Sequence, residues 1–520
     1  MAATVHEVEF TGLVLGWIAQ LIQNNGPDFP ISEARIEGRA LGSQKRRDLT
    51  LYDRDGSPCL TGEVKLPWAP DGHSPFFEDV VLDAREKAEK AGVQWFITWN
   101  INELLLWHRE DLGALGTART VERYQIANVQ RPRDLDNPKI LQALRNELER
   151  FVILFARTLR GERGVDRRPP DLYFIHSLES FLDRPIQLTR LELSERYGRQ
   201  KERERLDSWM RDRQGWTLGG DEDDLLLRAA KFTNYTVANR LIFYEALRKR
   251  FSHLRPLDVP DHVDTAERLF DHLRAFFDEA CHVTGDYETV FGIDPNDVGD
   301  RIPFYADAVV ASWRLLTQHV HRFDFSHLEY DVIGQIFETL IGPEERHKYG
   351  QYYTRPEVVD IINSFCIRSG EDKIMDPGCG GGTFLVRAYA RKRHLAPRLD
   401  HLGLPRGIFG VDVSRFATHL STINLAVRDL VDAQNYPRVV RSDFFDLEHD
   451  RPLLRLPGPG GEEIQIRADA LDAIVANPPY VRQEEIPKKD KERYRSLVKR
   501  EVQLEASGRS DLHVFFGGMP

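Results

Sequence analysis

The chain has 520 residues, of which 41% are hydrophobic and 29% charged, and its formal net charge is −11. This length suffices for about three domains of ordinary size, and no apolar run approaches the roughly 18 residues of a membrane span. The N-terminus lacks the basic and apolar regions of a secretory signal. The four cysteines follow neither a disulfide framework nor a zinc-site spacing. We therefore expect a cytoplasmic protein with no membrane partner. The net negative charge does not exclude a local surface that binds nucleic acid.

The first 130 residues are predicted to form a helix, a hairpin, a second helix and further strands. Apolar residues recur at helical spacing over 10–22, and the pattern ends in an Asn-Asn-Gly-Pro break. The hairpin is indicated by the Asp53–Gly56 turn sequence between two strand-like runs. The expected strands cover 34–40, 48–52, 59–66, 93–100 and 104–107, and the second helix covers 76–91.

Acidic and basic residues share the two strands of this hairpin. Asp48 begins one strand, while Glu63 and Lys65 stand two residues apart on the other and so face the same side. Two carboxylates on neighbouring strands can hold Mg²⁺, and a lysine beside them can orient the attacking water. The pattern resembles the PD-(D/E)xK nuclease signature, although Arg47 replaces the usual proline. The resemblance implies a DNA-cleaving domain at 1–130, with Asp48 and Glu63 as metal ligands and Lys65 as a catalytic residue; the alternative is an ordinary hairpin with surface charges.

The middle of the chain, 131–325, is predicted to be a helical connector. Its clearest apolar periodicity is at 139–159, and the patterns at 225–251, 263–280 and 304–321 are similar. Segments 253–260 and 283–297 contain the breakers that join these helices. The basic residues of 195–213 alternate with acids, which is typical of a solvated helix face.

A glycine-rich turn follows a short strand that ends at Asp376. Glycines let a backbone approach a ligand closely, and such a turn also fits a dinucleotide or a phosphate. The GxGxxG spacing and a following Gly-Lys-Ser/Thr are absent, and Asp376 would repel a phosphate. The stretch is similar to the S-adenosylmethionine fingerprint of methyltransferases. That resemblance implies cofactor binding through Asp376, Gly378, Gly380, Gly382, Thr383 and Phe384.

Further candidate cofactor residues lie before this turn and at two later strand ends. Asp412 ends the second strand, where an acid can bind ribose hydroxyls. Asp443 and Phe444 follow the third strand, 438–441, and would contact the cofactor's adenine. Upstream, Tyr353 and Thr354 resemble the segment that lines the methionine pocket in gamma-class methyltransferases.

The most specific motif is Asn477-Pro478-Pro479-Tyr480, which ends an apolar run at 473–476. Two prolines cannot continue a strand ladder, so the chain must leave the sheet here, where open α/β sheets bind ligands. The motif resembles that of DNA methyltransferases that modify the N6 of adenine. By that resemblance, Asn477 and the Pro478 carbonyl accept hydrogen bonds from the amine, Pro479 restricts the turn, and Tyr480 stacks on an adenine flipped out of double-stranded DNA.

These patterns together predict a multidomain α/β protein: a restriction-endonuclease-like domain, a helical connector, and an incomplete Rossmann-like methyltransferase domain at 326–520. The arrangement resembles type IIG restriction-modification enzymes, which implies S-adenosylmethionine and Mg²⁺ as cofactors. Only 40 residues (520 − 480) follow Tyr480, so we expect either a truncation or a second polypeptide that supplies the remaining strands and target recognition. Two alternatives stay open: a stand-alone methyltransferase with an inactive nuclease fold, and a non-catalytic subunit that binds DNA or a partner.

Overall fold

The computed structural model divides the chain into two compact units. The first unit is Met1–Leu188, Asp258–Asp264 and Asp307–Glu329, and the second is Thr189–Leu257, Thr265–Ala306 and Tyr330–Pro520. The predicted connector at 131–325 thus contributes residues to both units. The structure describes residues 7–37, 47–111, 119–165, 167–168, 170–214, 216, 218, 221–248, 251, 253–284, 288–322, 354–397, 405–426, 437–448, 451–457, 463–467, 470–484, 486 and 488–517. Within these ranges no helix combines the length and the apolar content that a membrane crossing requires.

The first unit is built on a mixed seven-stranded sheet whose strands follow chain order, β1 to β7. Only β3 and β4 pair in parallel, and α2 connects them, while the other neighbours are antiparallel. The bounds are β1 Ile31–Glu37, β2 Arg47–Asp53, β3 Pro58–Val64, β4 Trp95–Trp99, β5 Glu103–His108, β6 Arg119–Gln125 and β7 Arg167–Arg168. The predicted turn between β2 and β3 is confirmed, since Gly56 has a φ of +76° and donates its N–H to the Asp53 carbonyl.

Helices supply the second layer of this unit. The first helix buries Phe10, Val14 and Ile18 on one face, and the Phe10 ring meets Trp99 of β4 edge-on at 5.2 Å. A stripe at this spacing faces the core because a helix turns once per 3.6 residues. The helices of the unit are α1 Glu7–Asn25, α2 Glu78–Ala91, α3 Pro138–Leu159, the first part of α4 Pro170–Tyr197, and α10 Val309–Arg322.

In the second unit, helices precede the glycine-rich turn in the chain. They are the end of α4, α5 Gln200–Ser208, α6 Glu222–Arg248, α7 Ala266–Thr284, α8 Glu288–Phe291 and α9 Val298–Arg301. A buried ion network holds them to the segment that follows. Arg240 of α6 donates to one oxygen of Asp300 at 3.0 Å, and Arg415 donates to the other at 2.9 Å.

A parallel sheet of four strands lies in the second unit, in the order β10-β9-β8-β13. The strands are β8 Ile374–Asp376, β9 Ile408–Asp412, β10 Arg438–Arg441 and β13 Ala473–Ile474; a separate antiparallel pair consists of β11 Leu454–Pro457 and β12 Glu463–Ile466. The helices are α11 Pro356–Cys366, α12 Thr383–Leu395, α13 Arg415–Ala426, α14 Lys488–Val502 and α15 Leu512–Gly517, and we number them in chain order. The predicted strands that end at Asp376 and Asp412 and the strand at 438–441 are observed, and the mixed α/β fold is confirmed.

Candidate active site

Four polar side chains stand at the carboxyl ends of the four parallel strands. Asp376 ends β8, Asp412 ends β9, Asp443 follows β10 by two residues, and Asn477 follows β13 by three. The backbone keeps pairing beyond β13, since the Val475 N–H donates to the Met375 carbonyl at 2.9 Å. Because the strands are parallel, these ends lie along one edge of the sheet. The fold therefore brings the predicted residues to one side, as a ligand site at this edge requires.

The glycine-rich turn is fastened to two of these carboxylates. Asp376 accepts the Gly378 N–H at 3.1 Å, and Asp412 accepts the Gly380 N–H at 3.0 Å through one oxygen and the Ser414 N–H at 2.8 Å through the other. Gly380 has a φ of +50°, and a Cβ added there would meet no atom of the described residues within 4 Å. The turn thus presents backbone, with open space above it, beside two fixed carboxylates.

Helix α13 holds this turn from behind. The Ser421 hydroxyl donates to the Gly380 carbonyl, and the Asn424 amide donates to the Gly381 carbonyl, both at 2.7 Å. Gly382 has a φ of +85°, and a Cβ there would stand 2.9 Å from the Ser421 hydroxyl. A side chain at Gly382 would therefore displace the contact that positions the turn.

Burial controls the charge of the strand-end acids. Asp376 is 1% exposed, and burial raises its pKa to about 8 although the Gly378 N–H acts in the opposite direction. Burial also raises the pKa of Asp412, against the lowering effect of the Ser414 and Gly380 N–H groups. A cation bound beside these carboxylates would favour their ionised forms.

The Asp443 carboxylate accepts hydrogen bonds from its own turn and from a helix that lies far from it in the sequence. One carboxylate oxygen accepts the Phe445 N–H at 3.0 Å, and the other accepts a guanidinium N–H of Arg493 in α14 at 3.1 Å. Phe444 is only 8% exposed, and its ring stacks on Phe516 with centroids 5.2 Å apart. Phe516 thus already covers one face of the ring that was predicted to stack on the cofactor.

The Asn477-Pro478-Pro479-Tyr480 motif borders the glycine-rich turn. A Cβ added to Gly378 would lie 3.8 Å from the ring of Pro479, which shows how closely the two segments approach. Asn477, Pro478 and Pro479 are half-buried, whereas the Tyr480 side chain is 47% exposed. The Tyr480 ring lies 5.3 Å from His513, centroid to centroid.

The segment after the motif folds back onto the Asp443 turn. Val481 accepts the Leu512 N–H at 3.0 Å, and Asp511 accepts the Gln483 N–H at 2.8 Å. An apolar cluster then joins the two elements; its buried members are Phe444, Phe445, Ile486, Val498 and Phe515. Arg493, His513 and Phe516 were not among the predicted site residues. Their only sequence signal was the charged stretch and the aromatic pair that follow the motif.

The remaining predicted cofactor residues have different environments. Tyr353 lies outside the described residues, and Thr354 is half-buried just before α11. Thr383 is the first residue of α12. Phe384 is 4% exposed and packs with Val359 and Val475, so its side chain belongs to the core.

In the first unit, β2 and β3 bring the predicted nuclease residues close together. Leu49 pairs with Gly62, which places Asp48 and Glu63 one residue beyond that pair on adjacent strands. The side chain of Asp48 lies outside the described residues. Glu63 is 3% exposed, and its carboxylate accepts from Lys65 at 3.1 Å and from Lys87 of α2.

Lys87 was not predicted as part of this cluster. It lies 24 residues from Glu63 on a different element, so sequence spacing alone could not reveal the contact. It also contacts Asp83 at 2.8 Å, and Lys65 also contacts Asp71 at 3.3 Å. Burial disfavours the charge on Lys87, but Glu63 and Asp83 outweigh it and raise its pKa. Among the described side chains, no group of three or more His, Cys, Asp or Glu is arranged to hold a metal ion.

Comparison with known proteins finds a family match and several similar proteins. Residues 328–507 match the family model described as N-6 DNA Methylase. The type I restriction enzyme MjaVII methylase subunit of Methanocaldococcus jannaschii is 27% identical over 123 residues, which are 23% of this chain and 20% of the relative. The EcoEI methylase subunit of Escherichia coli, from a type I restriction enzyme, is 28% identical over 172 residues, which are 32% of this chain and 31% of the relative.

The matches thus span a fifth to a third of the length of these curated relatives. Among solved structures, the type IIG restriction endonuclease BpuSI aligns over 100% of this chain and 50% of its own length, with a TM-score of 0.34 and 12% identity. The stretch from 328 to 507, which holds the glycine-rich turn and Asn477, is the part of this chain that is similar to the N-6 DNA methylases.

Proposed function

We propose that this chain transfers a methyl group from S-adenosylmethionine to the N6 of adenine in DNA, as part of a restriction-modification system. The observation that carries the proposal is the approach of the glycine-rich turn, fastened to Asp376 and Asp412, to the Asn-Pro-Pro-Tyr motif. The match of residues 328–507 to the N-6 DNA methylase family supports it.

The residues at the strand ends fit S-adenosylmethionine. The turn leaves open space above Gly380, which suits a ligand that lies against backbone. The cofactor's ammonium group would face Asp376, whose burial otherwise disfavours the charged carboxylate. Asp412 would bind the ribose hydroxyls and Asp443 the adenine amine, with Tyr353 and Thr354 on the methionine side. Bound there, the cofactor would supply an electrophilic methyl group on its sulfonium.

The Asn477 segment would hold the target base. The Asn477 amide oxygen and the Pro478 carbonyl would accept the two N–H bonds of the adenine amine, which directs its lone pair toward the methyl group. No covalent enzyme intermediate is needed, so positioning and electrostatics would account for the rate. The exposed ring of Tyr480 would stack on the flipped base and contribute about 1–3 kcal/mol against the cost of unstacking.

The decisive test is methyl transfer from labelled S-adenosylmethionine to duplex DNA. We expect Asn477→Ala to lower the rate at least about 100-fold, by loss of a hydrogen bond that positions the amine, with little change in cofactor affinity. Gln503→Ala, at an exposed amide of the same half of the chain, is the control and should retain activity. Equal rates for both variants would contradict the assigned role of Asn477.

A second activity, DNA cleavage by the first unit, is supported by the adjacent backbone positions of Asp48 and Glu63 and by Lys65 beside them. The described donors do not by themselves fit Mg²⁺, because lysine ammonium groups already contact both Glu63 oxygens. We therefore assign no step to the metal. The alternative that the nuclease fold is inactive is therefore tested beside DNA cleavage.

Cleavage assays with Mg²⁺ separate these alternatives. An active nuclease should lose cutting in Glu63→Ala and in Lys65→Ala but not in Lys90→Ala, whose exposed side chain pairs with Glu86. Methyl transfer without cutting would identify a stand-alone methyltransferase. Failure of both assays, even with a neighbouring gene product added, would favour a non-catalytic subunit that binds DNA or a partner.

A further inference from the structure

Arg493 links the segment after the Asn477 motif to the turn that carries Asp443. Its guanidinium donates to Asp443 at 3.1 Å and to Asp446 at 2.6 Å. The Phe445 N–H donates to one Asp443 oxygen, and Arg493 donates to the other. A carboxylate oxygen has two lone pairs, and Arg493 leaves one of them for a second donor.

Packing fixes the helix that carries this guanidinium. Tyr494, the next residue of α14, lies 4.2 Å from the Phe445 ring, and Val498 is buried in the same apolar cluster. The hydrogen bonds at Val481 and Gln483 then tie the end of the Asn477 motif to the start of α15. The Arg493 contact therefore belongs to a packed element and is not a loose surface pair.

Charges around Asp443 come from both elements. Burial raises the pKa of this carboxyl, the Phe445 N–H and Arg493 lower it, and Asp446 raises it. Tyr494 also faces it from α14, and burial together with Asp443 raises the pKa of that phenol. Arg493 thus opposes the effect of burial and favours the ionised form of this half-buried carboxyl group, which accepts hydrogen bonds.

We infer that Arg493 is a positioning residue for the cofactor: it orients Asp443 and keeps its second oxygen ready to accept the adenine amine of S-adenosylmethionine. The inference rests on the proposed function. It also assigns α14 to the cofactor pocket, although this helix follows the target-base motif in the chain. Binding of the cofactor would then stabilise the segment that borders the target base.

The test is the affinity of the whole chain for S-adenosylmethionine, measured by calorimetry from pH 5 to 8. Arg493→Gln should weaken binding about 10-fold, the usual loss for a hydrogen bond to a charged group. Without the cation the pKa of Asp443 rises, so the variant should lose affinity on acidification at a higher pH than the wild type. Arg493→Lys, which keeps the charge but not the planar fork, should restore part of the affinity.

Matched variants separate positioning from general damage. Arg495→Gln alters the same helix at a side chain that donates to the Ala506 carbonyl, and it should bind as the wild type does. In an Asp443→Asn background, Arg493→Gln should add little further loss. If Arg493→Gln does not fold, two milder variants test the contact between Arg493 and the Asp443 turn. Arg493→Lys changes the donor, and Asp446→Asn changes one of its two acceptors.

Two negative results have different meanings. A wild-type chain that does not bind the cofactor would overturn the proposed function and this inference with it. A wild-type chain that binds, with unchanged affinity and pH profile in Arg493→Gln, would overturn the inference alone.

Discussion

The two candidate sites stabilise their buried carboxylates in opposite ways. In the parallel sheet, backbone N–H groups hold Asp376 and Asp412. In the first unit, Lys65 and Lys87 hold Glu63. Backbone donors orient a carboxyl group without adding a positive charge, so an incoming cation can itself favour the ionised form that burial disfavours. Lysines neutralise a carboxylate, so a metal must displace them first. The comparison indicates why the second unit is better prepared for its ligand.

The largest expected effect concerns Asp300, a buried carboxylate that Arg240 and Arg415 hold in the second unit. Asp300→Ala should destabilise the protein by about 3–5 kcal/mol, because Arg240 would stay buried without its carboxylate partner. Arg240 is only 1% exposed. Urea unfolding measures the loss, and a change below about 1 kcal/mol would show that the network contributes little.

Acid should weaken the first unit through two buried histidines. Burial lowers the pKa values of His73 and His319 to about 3, assisted by Arg184 for His73 and by Arg119 for His319. The unfolded chain binds these protons near pH 6.5, so stability is present above that pH and is lost as the pH falls toward 3. Each histidine contributes a slope of up to about 1.4 kcal/mol per pH unit.

Hydrogen exchange resolved by peptide, corrected for intrinsic rates, should locate that acid effect in the first unit. His319→Gln should reduce the slope, because the amide does not titrate. An identical pH dependence in the variant would exclude His319 as a source.

The second unit should respond in the opposite direction because of Asp376. Its pKa is raised to about 8 by burial, so without cofactor its contribution to stability is full below about pH 4 and is lost as the pH rises through 8. The slope is at most about 1.4 kcal/mol per pH unit. Asp376→Asn should flatten this pH dependence of stability in the unliganded protein, which the same hydrogen-exchange measurements check. The variant should also bind the cofactor more weakly, which a binding titration checks.

The smallest effect is expected at an exposed ion pair. Arg500 is 69% exposed and pairs with the neighbouring Glu501. Arg500→Gln should change the free energy of unfolding by less than about 0.5 kcal/mol, because water and salt screen such pairs. A larger loss of unfolding free energy would show that exposed ion pairs on α14 stabilise the protein more than screening by water and salt allows.

Sequence patterns predicted the elements that carry the site with good accuracy. The third strand was predicted at 438–441 and is observed as Arg438–Arg441, while the helix after the glycine-rich turn runs over Thr383–Leu395. The spacing of apolar residues and the helix- and strand-breaking residues are local signals, so they can be recognised without knowledge of the tertiary contacts. The long α4 helix lies in the predicted helical connector, but its bounds were not predicted, and neither was strand β6. Pro185 lies inside α4, and the apolar residues of that helix do not follow a single stripe.

The sequence by itself determined the polar residues at the ends of the parallel strands of the second unit, because acids, glycines and prolines within a few positions specify those ends. Only the tertiary structure decided which partners these residues have. Arg493 meets Asp443 across 50 positions of the chain, and Lys87 meets Glu63 across 24. Such contacts depend on how helices pack against the sheets, and helical or strand periodicity specifies which face is buried but not which distant charge lies opposite it.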